Sequence, residues 1–276
     1  MVKYLYLKQR VNDCFAAFNE DFSVQASFGD QWFQDKGSEY VDTNFNQNEP
    51  EQQDRYDEVF SEEDSFEETP VRTPLTDKRC DVVQEFLSTE KDYLEHLEIV
   101  RDYFIQPLTN QGILATDELE IIFINWNDVL LCTNRLYKSL KIRRKMNMKK
   151  DINIGDILCE NFSQMGAYIR FCSSQYTAAG LLQKLIEIKP GFDEFLRHCQ
   201  THPKIQGYPL SFYLLKPVKR IMDYPILIQK IVKNTEESHP DYYYLNKALK
   251  MSKELCEQVN EGTRLKENTE RSSVAR

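Results

Sequence analysis

Glu90 sits in the middle of an apolar helical face. On a wheel at roughly 100° per residue, Val83, Phe86, Leu87, Leu94 and Leu97 share one side, and Glu90 falls among them. An ionised carboxylate on a buried face is costly without a partner. Two readings follow. Glu90 pairs with a Lys or Arg of a neighbouring helix, or the face opens at a groove where Glu90 meets a donor on another protein. A second group of charges, Lys216, Lys219 and Arg220, surrounds Pro217 in the apolar stretch Leu210–Val232, which also holds Pro225. Each proline removes one helical hydrogen bond and crowds the turn before it. The helix there either starts near Pro217 or is kinked, and the clustered cations point to one exposed, charged face.

Other chemistry is poorly supplied. His198, Cys199 and His202 are the one Cys/His cluster. Three ligand types this close, with no fourth elsewhere, rarely suit zinc, and a polar helix end before Pro203 is the plainer reading. Phosphate-binding loops of the G-x-x-x-x-G-K type, G-x-G-x-x-G, H-E-x-x-H and G-x-S-x-G are all absent. The four histidines, His96, His198, His202 and His239, stand outside any triad context. No metal, no cofactor and no covalent catalytic residue is expected, which leaves a helical protein–protein module.

The elements that must position these residues are helices. Leu119, Ile122, Phe123, Trp126, Val129, Leu130, Leu136, Tyr137 and Leu140 recur at spacings of three and four, with Thr133 filling the remaining step. This predicts one amphipathic helix of about six turns, N-capped by Thr116. Ile154, Ile157, Leu158, Phe162, Met165, Tyr168, Ile169 and Cys172 predict another, and Leu245, Ala248, Leu249, Leu255, Cys256 and Val259 a third. Glu90 belongs to a helix from about Asp77 to Ile105. No alternating run of β-branched residues and no Asn-Gly or Asp-Gly turn occurs. The fold class is therefore all-α, an elongated bundle of long helices.

Charge divides the chain. Its 276 residues carry a formal charge of −9, yet residues 1–72 hold 6 basic and 17 acidic residues, and the rest 29 and 27. Residues 49–68 contain ten acids against Arg55 alone. Self-repulsion and low apolar content keep such a stretch solvated. The expected organisation is an aromatic then acidic segment at 1–72, mostly disordered, a helical domain at 73–265 and a polar frayed tail at 266–276. The near-neutral domain lacks the one-sided basic field of a nucleic-acid binder, and no apolar run is long enough to span a membrane. Seven widely spaced cysteines without a C-x-x-C suit reduced thiols, so a cytoplasmic location is expected.

Three stretches resemble a known family, the Dbl-homology (RhoGEF) domain, over about 76–265. They are Val83–Tyr93 with Glu90, Leu214–Ile221 followed by Tyr224 and Pro225, and Glu254–Glu261 with Asn260. Further strings, Ile122–Trp126, Ala167–Cys172, Glu237–Asp241 and Glu261–Gly262, are similar to the intersectin branch. The resemblance implies guanine-nucleotide exchange on a Rho-family small GTPase by binding, without covalent chemistry. In the family, the residue matching Glu90 contacts switch I and pulls it from the nucleotide, while those matching Lys216 and Asn260 contact switch II. The intersectin likeness implies a preference for the cell-division-control GTPase, endocytic or actin-assembly proteins as further partners, and recruitment to membrane-proximal endocytic sites. Phe18–Phe22 is an acidic-aromatic string of the kind clathrin adaptors bind.

The partner-facing set is thus Glu90, Lys216, Val218, Lys219, Arg220, Asp223, Asn260 and Glu261. Three of these depart from the family pattern: Val218 and Lys219, where intersectins and relatives carry Met and Gln, and Asp223 in place of an Arg before Tyr-Pro. A reversed charge at Asp223 alters which partners are attracted. With 16 residues after Asn260, no pleckstrin-homology domain is expected in this chain. The competing reading is a weak or inactive Dbl-homology scaffold that binds a GTPase or endocytic partners. A third, a curved membrane-binding helical dimer, wants a continuous basic face. The acidic stretch 49–68 is either a solvated linker or a cover for Lys216, Lys219 and Arg220.

Overall fold

The computed structural model describes residues 74–147 and 151–274. Every regular element among them is helical: α1 (Pro74–Val100), α2 (Gln106–Gln111), α3 (Thr116–Ile122), α4 (Trp126–Met146), α5 (Gly155–Phe162), α6 (Gly166–Ile188), α7 (Pro190–Gln200), α8 (Leu210–Leu214), α9 (Lys216–Lys233) and α10 (Tyr242–Val274). The readings made above for residues 1–72, including the acidic cover and the Phe18–Phe22 string, lie outside the described residues. No described helix is long and apolar enough to cross a membrane.

Helix α1 passes into α2 through one wider π-type turn, Arg101–Ile105. That turn stands directly before Pro107, whose missing N–H and bulky ring would disturb a regular ladder. Two long helices expected from periodicity are each broken. The first divides into α3 and α4 at 123–125, and the second into α5 and α6 at 163–165. Asn125 adopts a left-handed conformation (φ 40°), one that Asn tolerates better than most residues. Its Nδ2 donates to the Ala167 carbonyl at 2.9 Å, so one break is fastened to the first turn beyond the other. Ala115, not Thr116, is the N-cap, and its N–H donates to Glu118 Oε2 at 2.8 Å. At the other end α10 stays helical to Val274.

Helix α10 packs along α5, α6 and α9, while α1 packs on α4 and α9. The shared core is aromatic, with Phe86, Phe104, Trp126, Tyr168, Phe171 and Tyr224 fully enclosed. Trp126 Nε1 donates to the Leu97 carbonyl at 3.1 Å. Thr133, which fills the apolar stripe of α4, donates to Val129 O at 2.9 Å and meets Tyr168 Oη at 2.7 Å. Since that hydroxyl's one proton is used, Tyr168 donates to Thr133 and accepts in turn from Tyr93 Oη at 3.0 Å. Trp126, Thr133, Tyr168 and Tyr93 are thereby satisfied within the core.

A buried ionic knot closes one end. Asp241 accepts from Arg79 Nη2 at 2.7 Å, Ile154 N at 2.9 Å and Gly155 N at 2.8 Å. Arg79 also reaches Thr235 Oγ1, Ile152 O and Asp151. Only glycine fits at 155: a Cβ there would stand 2.6 Å from Leu245 N and 2.8 Å from Tyr244 C. The start of α5 therefore lies flat against the first turn of α10. His198, Cys199 and His202 do end a helix, α7, and His202 Nδ1 accepts from Lys204 N at 3.2 Å.

Candidate functional site

The polypeptide breaks at Leu215, between α8 and α9, and Pro217 occupies the first turn of α9. Proline suits that place because the first N–H groups of a helix have no internal acceptor. Pro225, two turns on, lies inside the helix and cannot donate to Ile221 O, four residues back. Cys256 of α10 supplies the replacement, its Sγ–H donating to Ile221 O at 3.2 Å. Burial, with Glu257 adding, pushes this thiol up to about 12, which keeps it protonated as a donor. The proline thus holds α9 to the helix that carries Asn260.

Glu90 is paired, the first of the two readings its position allowed. It is fully buried, and Arg220 donates to its Oε2 from Nε at 2.9 Å and from Nη2 at 2.6 Å. Tyr224 Oη stands 3.1 Å from both carboxylate oxygens. Arg220 Nη1 donates to Thr89 Oγ1 at 3.1 Å. The guanidinium carbon lies 5.0, 5.5 and 5.9 Å from the ring centres of Tyr224, Phe86 and Tyr93. Burial disfavours the Arg220 cation, but the charge and hydrogen bonds of Glu90 outweigh it, and the pKa of Arg220 is raised. Tyr224 is pushed well up, by burial and then by the Glu90 charge. Contrary to the expectation from its clustering with Lys216 and Lys219, Arg220 is not part of an exposed basic face, since it is 5% exposed and turned inward. Val218 is likewise enclosed, at 1%. Their neighbours on α9 are packed against α1 and α10, and the chain's apolar core takes both.

The outer face of α9 carries Lys216, Lys219 and Asp223, all part-buried. Lys219 Nζ pairs with Asp223 Oδ2 at 3.1 Å, one turn apart. Lys216 Nζ stands 4.2 Å over the ring centre of Phe212, which stacks at 4.0 Å on Tyr208. Burial, with Lys219 adding, lowers Lys216 to about 8. On α10, Asn260 is part-buried, and its Oδ1 is shut off from solvent with no hydrogen-bond partner among the described residues. Glu261 is exposed and pairs with Arg264 of its own helix at 2.8 Å. The residues drawn together are therefore Glu90 and Arg220; Val218 is enclosed on the inner side of α9, Lys216, Lys219 and Asp223 occupy its outer side, and Asn260 and Glu261 lie near the middle of α10. Thr89 and Phe212 were not singled out from sequence; Tyr224 was named in the second family-like stretch but given no role, although it stands one turn beyond Arg220, at the spacing that lets two side chains share a face.

His96 lies at the edge of this group, 6.3 Å from Phe212 and 5.8 Å from Tyr213 between ring centres. Burial, then the Lys216 charge, lowers it from 6.5 to about 4. The unfolded chain therefore binds a proton first as pH falls. The stability that neutral His96 confers is complete above about 6.5 and is lost as pH drops toward 4. With its partial exposure allowed for, this amounts to about 2 kcal/mol. Urea unfolding at pH 7 and pH 4.5 should show His96→Gln flattening that part of the slope; an unaltered slope would contradict the assignment.

Among known proteins, the RhoGEF domain model matches residues 82–260. Mouse intersectin-1 is 41% identical over 201 residues, covering 72% of this chain and 12% of intersectin-1. The chain thus spans a small part of that relative's length. The linker-DH/PH domains of p115-RhoGEF superpose with a TM-score of 0.68 at 26% identity, over 72% of this chain and 61% of that one. The PDZ-RhoGEF DH/PH domains, solved with GTP-γ-S-activated RhoA, share the fold with a TM-score of 0.68 at 23% identity, over 73% of this chain and 58% of theirs.

Proposed function

This chain belongs to the RhoGEF (Dbl-homology) domain family, and we propose that it is a guanine-nucleotide exchange factor for a Rho-family small GTPase. The observation that supports the reading is the position of α9. It is tied to α1 through Glu90–Arg220 and to α10 through Cys256–Ile221, so the three family-like stretches meet on one helix.

Exchange of this kind needs no covalent step. A small GTPase closes two switch loops over its nucleotide and magnesium ion. A protein that binds the nucleotide-free form better than the loaded form must weaken nucleotide binding by the same factor. A hundredfold weakening corresponds to about 2.7 kcal/mol of differential binding. The outer face of α9 (Lys216, Lys219, Asp223), with Asn260 and Glu261, offers the contacts for one switch; Glu90 is the anchor for the other. The 41% identity to intersectin-1 favours the cell-division-control GTPase as partner and endocytic sites as the setting. Lys219 and Asp223, on the outer face of α9, support the second reading, a scaffold that binds a GTPase without speeding release.

Release of a fluorescent guanine nucleotide from a panel of purified Rho GTPases tests both. At least tenfold acceleration of one member is expected. Capture of nucleotide-free GTPase with no acceleration of any member would select the scaffold instead.

A further inference from the structure

We propose that Arg220 and Tyr224 are positioning residues, holding the Glu90 carboxylate in one orientation and influencing exchange only through it. This deepens the exchange-factor reading and rests on it.

The two carboxylate oxygens of Glu90 are unequally engaged. Glu90 Oε2 takes two guanidinium bonds, at 2.6 and 2.9 Å, while Oε1 has, among the described residues, the Tyr224 hydroxyl alone, at 3.1 Å. That hydroxyl has one proton and stands equally far from Oε2, so its bond is divided between the two. Oε2 is committed, and Oε1 keeps accepting capacity. A donor from a switch loop would take Oε1 while Arg220 retains Oε2.

Arg220 is itself fixed from α1. Thr89 Oγ1 lies 2.9 Å from Glu85 O and 3.1 Å from Phe86 O, so it donates backward along its own helix and accepts from Arg220 Nη1. One guanidinium thus reads two consecutive residues, Thr89 and Glu90. Three aromatic rings surround it. Two charge-assisted N–H bonds converging on Oε2 pin that oxygen, and the Tyr224 hydroxyl, 3.1 Å from both oxygens, limits how far Oε1 can swing about it. Glu90 is fully buried in the free protein, so a partner must displace its cover to reach Oε1, with Arg220 holding Oε2 through that step. The basic charge offered outward by α9 then comes from Lys216 and Lys219, with Asp223 opposing it, and not from Arg220.

The test is a double-mutant cycle on nucleotide release, using the full chain and a GTPase that the unaltered protein accelerates. Tyr224→Phe removes one oxygen and should lower the maximal release rate five- to tenfold, with the half-saturating concentration within twofold. Glu90→Gln should lower it further. Tyr224→Phe added to Glu90→Gln should cost less than twofold more. Independent, multiplicative losses would overturn the proposal, as would a Tyr224→Phe protein of full activity. If Tyr224→Phe does not fold, Arg220→Lys enters the same cycle, since it keeps the charge and loses the fork. Absence of acceleration by the unaltered protein on every GTPase defeats the exchange reading itself, a different result from additivity.

Discussion

Arg220→Ala should destabilise the helical domain by about 3–5 kcal/mol and lower its melting temperature by about 10 °C. The cause is the residue left behind. Glu90 is fully buried, and without Arg220 its carboxylate keeps only the divided Tyr224 hydroxyl. A buried charge stripped of its partner costs far more than the intact pair contributes, because desolvation is no longer offset. The removed side chain also leaves a void among Phe86, Tyr93 and Tyr224. Replacing both partners by apolar residues, Glu90→Met with Arg220→Met, should recover most of the loss, since no charge is then stranded. Urea unfolding of the single and double variants decides. A loss under about 1 kcal/mol for Arg220→Ala would be the behaviour of an exposed pair and would contradict the buried geometry. The same measurement must accompany any exchange assay of Glu90→Ala, because that substitution strands Arg220.

The helical class was legible in the sequence, whereas Glu90 could be read either as paired with a Lys or Arg of a neighbouring helix or as facing a donor on another protein, and nothing local named Arg220. Lys216, Lys219 and Arg220 fall within five positions. Arg220 stands about 40° round from Lys216 on a wheel, at the border between the apolar arc and the charged face. A residue at such a border can turn either way, and only packing of α1 against α9 decides. The two broken helices have a similar origin. The apolar spacing of three and four runs unbroken past Asn125 and past Ser163–Met165, with no glycine or proline at either break before Gly166. What stabilises the breaks is a long-range bond, Asn125 Nδ2 to Ala167 O, invisible to a local period. Pro217 and Pro225 were legible as disturbances. The acceptor that Pro225 frees, and the thiol of Cys256 that answers it, belong to the tertiary fold.

Asp241→Ala carries a comparably large expected effect, about 4 kcal/mol, at a place remote from the proposed partner face. A single carboxylate there does two jobs, and the backbone carbonyl of the same residue, which truncation leaves in place, does a third. It neutralises Arg79, which is 1% exposed. It accepts the Ile154 and Gly155 N–H groups at the start of α5, groups that no carbonyl of the helix itself can reach. Its backbone carbonyl accepts from Leu245 N at 2.9 Å in the first turn of α10, so the same residue opens one helix and caps another. Truncation strands a guanidinium, worth about 3 kcal/mol or more, and removes a cap worth about 1 kcal/mol. Burial already lowers the Arg79 pKa although Asp241 opposes it; losing Asp241 leaves the Asp151 contact, which is partly exposed, as the main compensation. Asp241→Asn should lose less, because one acceptor oxygen remains for the α5 cap. Melting of the two variants should therefore rank Ala below Asn and both below the unaltered chain, with amide exchange quickening first at Ile154 and Gly155. Equal melting temperatures for all three would mean that this end of the bundle is held by the apolar packing of α5 on α10 alone.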